Sequence, residues 1–133
     1  IDGSDIEITP HGLDPELLHV QEDVVKEGLV SHLLRTYCPI TRQPDFASVL
    51  IQYRGKRIDR ESLLRYVCSF RGREGFSEDC CEGIFTDILT RCSPLELMVG
   101  CFYTRRGGID INPVRSTHRV GIEDVRRFRL VRQ

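Results

Sequence analysis

Apolar and polar positions along the chain change period several times, and the changes divide it into elements. Residues 1–9 alternate, Ile6 and Ile8 against Asp5 and Glu7, which predicts a short strand before a break at Pro10–Gly12. Residues 13–37 leave two readings open. Asp14-Pro15-Glu16 has the form of a helix start, while the run from Leu29 to Tyr37 fits either a helix or a buried strand. The turn-rich segment CPITRQPD at 38–45 follows. Val49-Leu50-Ile51-Gln52-Tyr53, β-branched and aromatic, then predicts a strand ending at Arg54-Gly55, and two extended runs around a short loop would form a hairpin.

Helical spacing takes over next. Leu63, Leu64, Val67, Cys68 and Phe70 recur at that spacing after Asp59 and Glu61, two acids suited to a helix N-terminus. Arg71-Gly72-Arg73-Glu74-Gly75 breaks the pattern. A second helix is predicted from Ser77, its expected N-cap, with Cys81, Ile84, Phe85, Ile88, Leu89 and Cys92 on one face, and Ser93-Pro94 ends it. Leu97, Val99, Cys101 and Tyr103 alternate as a strand, Gly107-Gly108 turns, and Ile109 and Ile111 resume the alternation. Strand pair, two helices, strand pair describes an α+β domain, an antiparallel sheet with helices on one face.

With 133 residues and 40% hydrophobic positions the chain suffices for one domain with a real core. No apolar run approaches the roughly 18 residues of a membrane-spanning helix, and no signal peptide opens the chain, so neither a membrane protein nor a secreted one is expected. The near-zero net charge hides two asymmetries. Arginine outnumbers lysine 17 to 2, and residues 1–30 carry eight acids against one base while residues 104–133 carry eight arginines against three acids. A chain that is not basic overall argues against direct nucleic-acid binding, while arginine suits a local phosphate site. Six cysteines, two of them adjacent and most in apolar patterns, read as buried thiols of a reducing, cytoplasmic compartment. The lack of a CxxC and the scatter of the four histidines argue against a metal site. His32, within an apolar run, reads as a satisfied core or edge side chain, and the arginines of 126–132 as a solvated tail.

Three stretches could carry chemistry. Cys38 lies in the predicted hairpin loop that Asp45 closes. A loop thiol with positive charge from Arg35 or Arg42 could act as a nucleophile and Asp45 could shuttle its proton, or Cys38 could simply pack the loop and Asp45 cap a turn. Tyr103-Thr104-Arg105-Arg106-Gly107-Gly108, two arginines beside two glycines at a strand end, could grip a phosphate or form a hairpin turn with solvated arginines. Phe76-Ser77-Glu78 could read the N–H groups of a heterocycle, or Glu78 could serve only the helix dipole.

Five blocks in order, CPITRQPDF, IQYRGKRIDRESLLRYVCSFR, EDCCEGIFTDIL, YTRRGGIDINPVRS and the terminal RLVRQ, resemble the NADPH-dependent 7-cyano-7-deazaguanine reductases of queuosine biosynthesis, and among them the C-terminal module of the two-module form. The likeness runs from about Val24 to Ser116 and returns at the last residues. It implies a tunnelling fold, with residues 27–37 a strand and 38–45 the hairpin loop, and a division into an N-terminal strand or linker at 1–23 and a catalytic module at 24–133. It also implies roles: Cys38 attacks the nitrile carbon to form a thioimide, Asp45 transfers protons, and Phe76, Ser77 and Glu78 lie at the substrate, Glu78 holding the pyrrolopyrimidine. Arg106 and Gly107, with Arg105 beside them, would bind NADPH phosphate.

Two departures from the family pattern bear on activity. Ser77 stands where the family has a histidine that aids proton transfer, and Asp59-Arg60-Glu61-Ser62 stands at the family's Glu-Ser-Lys-Ser signature. In two-module members that signature lies in the other module, so the resemblance implies a thiol-bearing half that needs an N-terminal module or second subunit. Exposed strand edges add the expectation of a homo-oligomer. The alternatives are an amidine-forming relative acting on the same nitrile, separated by ammonia-dependent product, and a non-catalytic module, separated by substrate binding without covalent capture.

Overall fold

The computed structural model describes residues 1–8, 12–120 and 130. Two long strands, β1 (Val20–Tyr37) and β2 (Pro44–Ile58), form an antiparallel hairpin around the 38–43 loop. Helices α1 (Arg60–Ser69) and α2 (Ser77–Cys92) follow, then β3 (Glu96–Tyr103) and the short β4 (Val114–Ser116). The sheet order is β1-β2-β3-β4, every pairing antiparallel, which bears out the α+β expectation.

The open reading of residues 13–37 resolves into a 3-10 turn at Pro15–Leu17, capped by Asp14, and then strand from Val20 rather than from 27. The cause of the ambiguity is visible in the register. Ser31 pairs with Val49 and Leu34 with Ala47, three steps on β1 against two on β2. This bulge places Leu29 and Leu34, five residues apart, in one core, so a strand carries apolar spacing that period two cannot describe.

Both helices cover one face of the sheet. Leu29, Leu34, Val49, Ile51, Tyr53, Leu97 and Val99 from the strands meet Leu63, Val67, Phe70, Ile84 and Ile88 in one core. Helix α1 starts at Asp59, whose carboxylate accepts from the Ser62 amide at 2.8 Å, as its position predicts. The Tyr66 hydroxyl donates to Asp87 at 2.5 Å and ties the helices together, and the Tyr66 ring meets Phe70 edge-on at 5.4 Å. Gly55 marks a close backbone approach: a Cβ there would lie 2.9 Å from Pro94 Cα. On the opposite face Leu50, Met98 and Phe102 form a smaller cluster with Val30, Val114, Val120 and Leu130. His32, on β1, bonds Ser48 through Nδ1 at 2.7 Å, the satisfied side chain expected.

Several local expectations fail. Residues 1–8 form no strand: the segment meets β1 through the Ile1 ammonium, which donates to Val30 O at 2.8 Å, and the Asp2 carboxylate, which accepts from the His32 amide at 2.7 Å, and these are not the backbone ladder that alternation needs. Phe76, not Ser77, is the N-cap of α2, and Leu89 is 38% exposed, the apolar stripe centring on Cys80, Cys81, Ile84, Ile88 and Cys92. β2 runs through Arg54-Gly55 to Ile58, and β4 forms at 114–116, Ile109 making only a bridge to Arg106. The 126–132 arginines lie outside the described residues. No helix among the described residues is long and apolar enough to cross a membrane.

Candidate active site

The hairpin loop is closed by its own backbone. The Cys38 amide donates to the Gln43 carbonyl at 3.0 Å and the Arg42 amide to the Cys38 carbonyl at 2.9 Å, with Arg42 in the left-handed region at φ 56°. Next to it the segment after α1 is pinned to the end of β1. The Tyr37 amide donates to Arg73 O at 2.9 Å and the Gly75 amide to Tyr37 O at 3.1 Å. That bridge brings Phe76 and Ser77, at the start of α2, beside Cys38. From the other side, Tyr103 at the end of β3 pairs with Ala47, and the Thr104 amide donates to Phe46 O at 2.9 Å, so the turn after β3 stands over the loop.

These elements enclose a cleft of about 120 Å³ lined by Cys38, Asp45, Phe76, Ser77, Tyr103 and Arg106, among others. Cys38 is half-buried, whereas the other five cysteines, all free thiols, are buried. The Thr41 hydroxyl, then the Thr41 and Ile40 amides, hold the Cys38 thiol below its ordinary value, against partial desolvation and the Asp45 charge, which push it up. Burial pushes the thiols of Cys68, Cys80 and Cys92 the other way, Cys92 to about 11. The source of the lowering differs from the arginines expected. The Arg35 guanidinium donates to the Tyr37 hydroxyl and lies 4.9 Å over that ring, and Arg42 faces Glu74 at 3.6 Å.

Arg106 is committed to the loop. Its Nη2 lies 2.5 Å from Asp45 Oδ1 and 3.5 Å from the Pro44 carbonyl, and Nη1 donates to Thr41 Oγ1 and Gln43 Oε1, both at 3.4 Å. Arg105 grips Asp110 with two bonds, at 2.6 and 3.1 Å, and lies outside the cleft lining. Gly107 and Gly108 turn the chain at φ 57° and 79°, a conformation that favours glycine. Glu78 is exposed and outside the lining, with the Ser77 hydroxyl donating to its Oε2 at 2.9 Å. The fold thus gathers Cys38, Asp45, Phe76, Ser77 and Arg106, and leaves Glu78, Arg105 and Gly107 at the margin.

Sequence reading missed Thr41, and it put Tyr103 at the head of the 103–108 stretch without giving that ring a part in the cleft. A hydroxyl three residues after a loop cysteine was the available signal for Thr41. Tyr103 sat in an alternating run, where nothing distinguishes a core ring from one that also floors a cleft. The arrangement offers a thiol poised toward thiolate, a carboxylate in the same cleft, and an exposed aromatic face on Phe76 for a flat ring.

A family model described as QueF-like protein matches residues 44–121. The NADPH-dependent 7-cyano-7-deazaguanine reductase of Verminephrobacter eiseniae is 51% identical over all of this chain and 47% of its own length, and that of Delftia acidovorans is 53% identical over 89% of this chain and 43% of its own. The chain therefore spans about half the length of the curated relatives it matches. A solved structure, an archaeosine synthase QueF-Like in the apo form, superposes with a TM-score of 0.63 at 19% identity, covering 76% of this chain and 99% of that one. That likeness is one of fold, and it carries the tunnelling-fold expectation.

Proposed function

This chain belongs to the QueF-like protein family, and on that premise we propose that it is the thiol-bearing half of an NADPH-dependent reductase. The reaction would take the nitrile of 7-cyano-7-deazaguanine to the primary amine of 7-aminomethyl-7-deazaguanine. The observation that carries the reading is the convergence of Cys38, with its lowered thiol, and Asp45 in one cleft beside Phe76. The names of relatives about half identical to the chain point the same way.

Each side chain has a task. Sulfur of Cys38 bonds to the nitrile carbon, and the thiol's proton, passed through Asp45, ends on the nitrile nitrogen to give a thioimide. Phe76, 52% exposed, offers its face to the deazaguanine, and Glu78 offers acceptors to the ring N–H groups. The Ser77 hydroxyl, bonded to Glu78, holds that carboxylate but cannot serve as a general acid near neutral pH. Protons for the later reduction steps thus fall to Asp45.

The turn after β3 fits a cofactor phosphate. It carries adjacent, partly exposed guanidiniums and two glycines at positive φ, where an added Cβ would meet nothing within 4 Å. Arg106 and Gly107 would hold the phosphate, with Arg105 beside them. When bound, NADPH supplies the hydrides, two in all for the conversion of nitrile to amine. We place the complementary groups on an N-terminal module or second subunit, in a cytoplasmic oligomer whose long edge strand β1 is covered by a neighbouring copy. Residues 1–23 would lead from one module to the next.

Intact mass after incubation with 7-cyano-7-deazaguanine tests the reading. A one-to-one adduct on the wild type, missing in Cys38→Ala, is the expected result. An unmodified mass for the folded protein, both with and without the complementary half, overturns it. Ser77 supports a second reading, a module that binds substrate and captures it slowly, for which a saturable but sluggish adduct is the signature.

A further inference from the structure

The thiol and the acid of the cleft come from different places, a loop and the start of β2, and one side chain from a third element touches what tunes both. Arg106 reaches from the turn after β3. It pairs with Asp45 at 2.5 Å and donates to Thr41 Oγ1 at 3.4 Å. Thr41 is the residue whose hydroxyl and amide act on the Cys38 sulfur. Two further bonds, to Gln43 Oε1 and the Pro44 carbonyl, span the rest of the loop. Every residue of 38–45 on which the pair depends is therefore held either by the loop's own turn or by this guanidinium.

We propose that Arg106 is a positioning residue that sets the Cys38 and Asp45 pair for nitrile capture before any cofactor arrives. The proposal rests on the reductase reading of the cleft. Two physical effects run through it. Asp45 sits close enough to the thiol for its charge to oppose thiolate formation, and a guanidinium 2.5 Å from the carboxylate offsets that charge. The contact with Thr41 also fixes the hydroxyl that stabilises the thiolate. The other charged groups around the loop cannot replace it: Arg42 is matched by Glu74, and Arg35 is laid on Tyr37. The four loop contacts engage both hydrogens of Nη1 and of Nη2, which leaves Nε–H of the five guanidinium donors, so this role is compatible with a single further bond to a phosphate.

The test needs neither substrate nor cofactor. The pH profile of Cys38 alkylation by iodoacetamide is followed by intact mass on the full chain, with Cys38→Ala to identify the modified thiol. Arg106→Gln is expected to move the profile to higher pH and slow alkylation near neutrality about tenfold. Arg106→Lys, which keeps a charge but not the fork, should recover part of the loss. Arg91→Gln, whose partner is the distant Glu16, should match the wild type. In an Asp45→Asn background the Arg106→Gln effect should shrink, because the charge that Arg106 offsets is gone.

An unmoved profile in Arg106→Gln overturns the proposal. If that variant does not fold, Arg106→Lys carries the test, with an unmoved profile again counting against it. Nitrile capture, measured in parallel, separates the two readings. A wild type that alkylates with the lowered profile but never captures the nitrile refutes the reductase reading and leaves the positioning role standing. Capture by a thiol indifferent to residue 106 refutes the positioning role alone.

Discussion

Tyr53→Phe removes one oxygen and should cost more than its size suggests. The Tyr53 hydroxyl, on β2 and 3% exposed, donates to Glu27 Oε1 at 2.7 Å and accepts from the Ile58 amide at 2.8 Å. Burial pushes this phenol well above its ordinary value, so it remains a neutral donor at any working pH. Substitution loses a bond to a charged acceptor, about 1.5 kcal/mol, and leaves the amide of the fully buried Ile58 without its acceptor, about 1–2 kcal/mol more. The sum is about 3 kcal/mol. Tyr66→Phe is the internal comparison. Its hydroxyl also meets a carboxylate, Asp87, but that group is half-exposed and can return to water, so about 1–1.5 kcal/mol is expected. Urea denaturation followed by circular dichroism, with unchanged m-values, measures both. A Tyr53→Phe loss equal to or smaller than that of Tyr66→Phe would refute the reasoning that the orphaned Ile58 amide dominates.

The remaining predictions are shorter. A lowered thiol pKa means thiolate present at lower pH, so the half-buried Cys38 should alkylate near neutrality before Cys68, Cys80 and Cys92, whose thiols burial pushes up, and before Cys81, whose thiol is also lowered but is shut away from the reagent; mass mapping that finds a buried cysteine modified first in the folded protein would contradict this. Gly55→Ala drives a Cβ to 2.9 Å from Pro94 Cα and 3.2 Å from Pro94 Cβ, groups that cannot swing aside, and should destabilise by about 1–3 kcal/mol in the same urea assay. Ser77→His should raise nitrile reduction by the complemented enzyme on the order of a hundredfold by adding a general acid at the cleft, and an unchanged rate would remove position 77 from the proton path.

Helix α1 was legible because its signals are local: Asp59 caps it, and Leu63, Leu64 and Val67 repeat at its period. β1 was not, because a bulge between Ser31 and Leu34 is a property of the pairing with β2, and a single strand carries no record of its partner's register. Ile6 and Ile8 show the converse, an alternation that reads as strand and lies beside no ladder. The thiol and acid of the 38–45 loop were legible as a pair, since loop residues with reactive side chains stand out against a hydrophobic pattern. The arginines chosen to activate the thiol were neighbours in sequence, and the groups that act on it are Thr41 and the loop amides.

The order of residues alone decides where the chain is helical, where it turns at Gly107-Gly108, and which thiol lies outside the apolar pattern, because each of these depends on interactions within a few residues. Which groups meet around that thiol is decided only when the sheet forms. Phe76 and Ser77 arrive because residues 73–75 bond to Tyr37, and Arg106 arrives because β3 pairs with β2 up to Tyr103 and Ala47. An ion pair such as that between Arg106 and Asp45 forms between elements far apart in sequence, so its existence follows from strand register, and strand register is set by burying one face of the whole sheet.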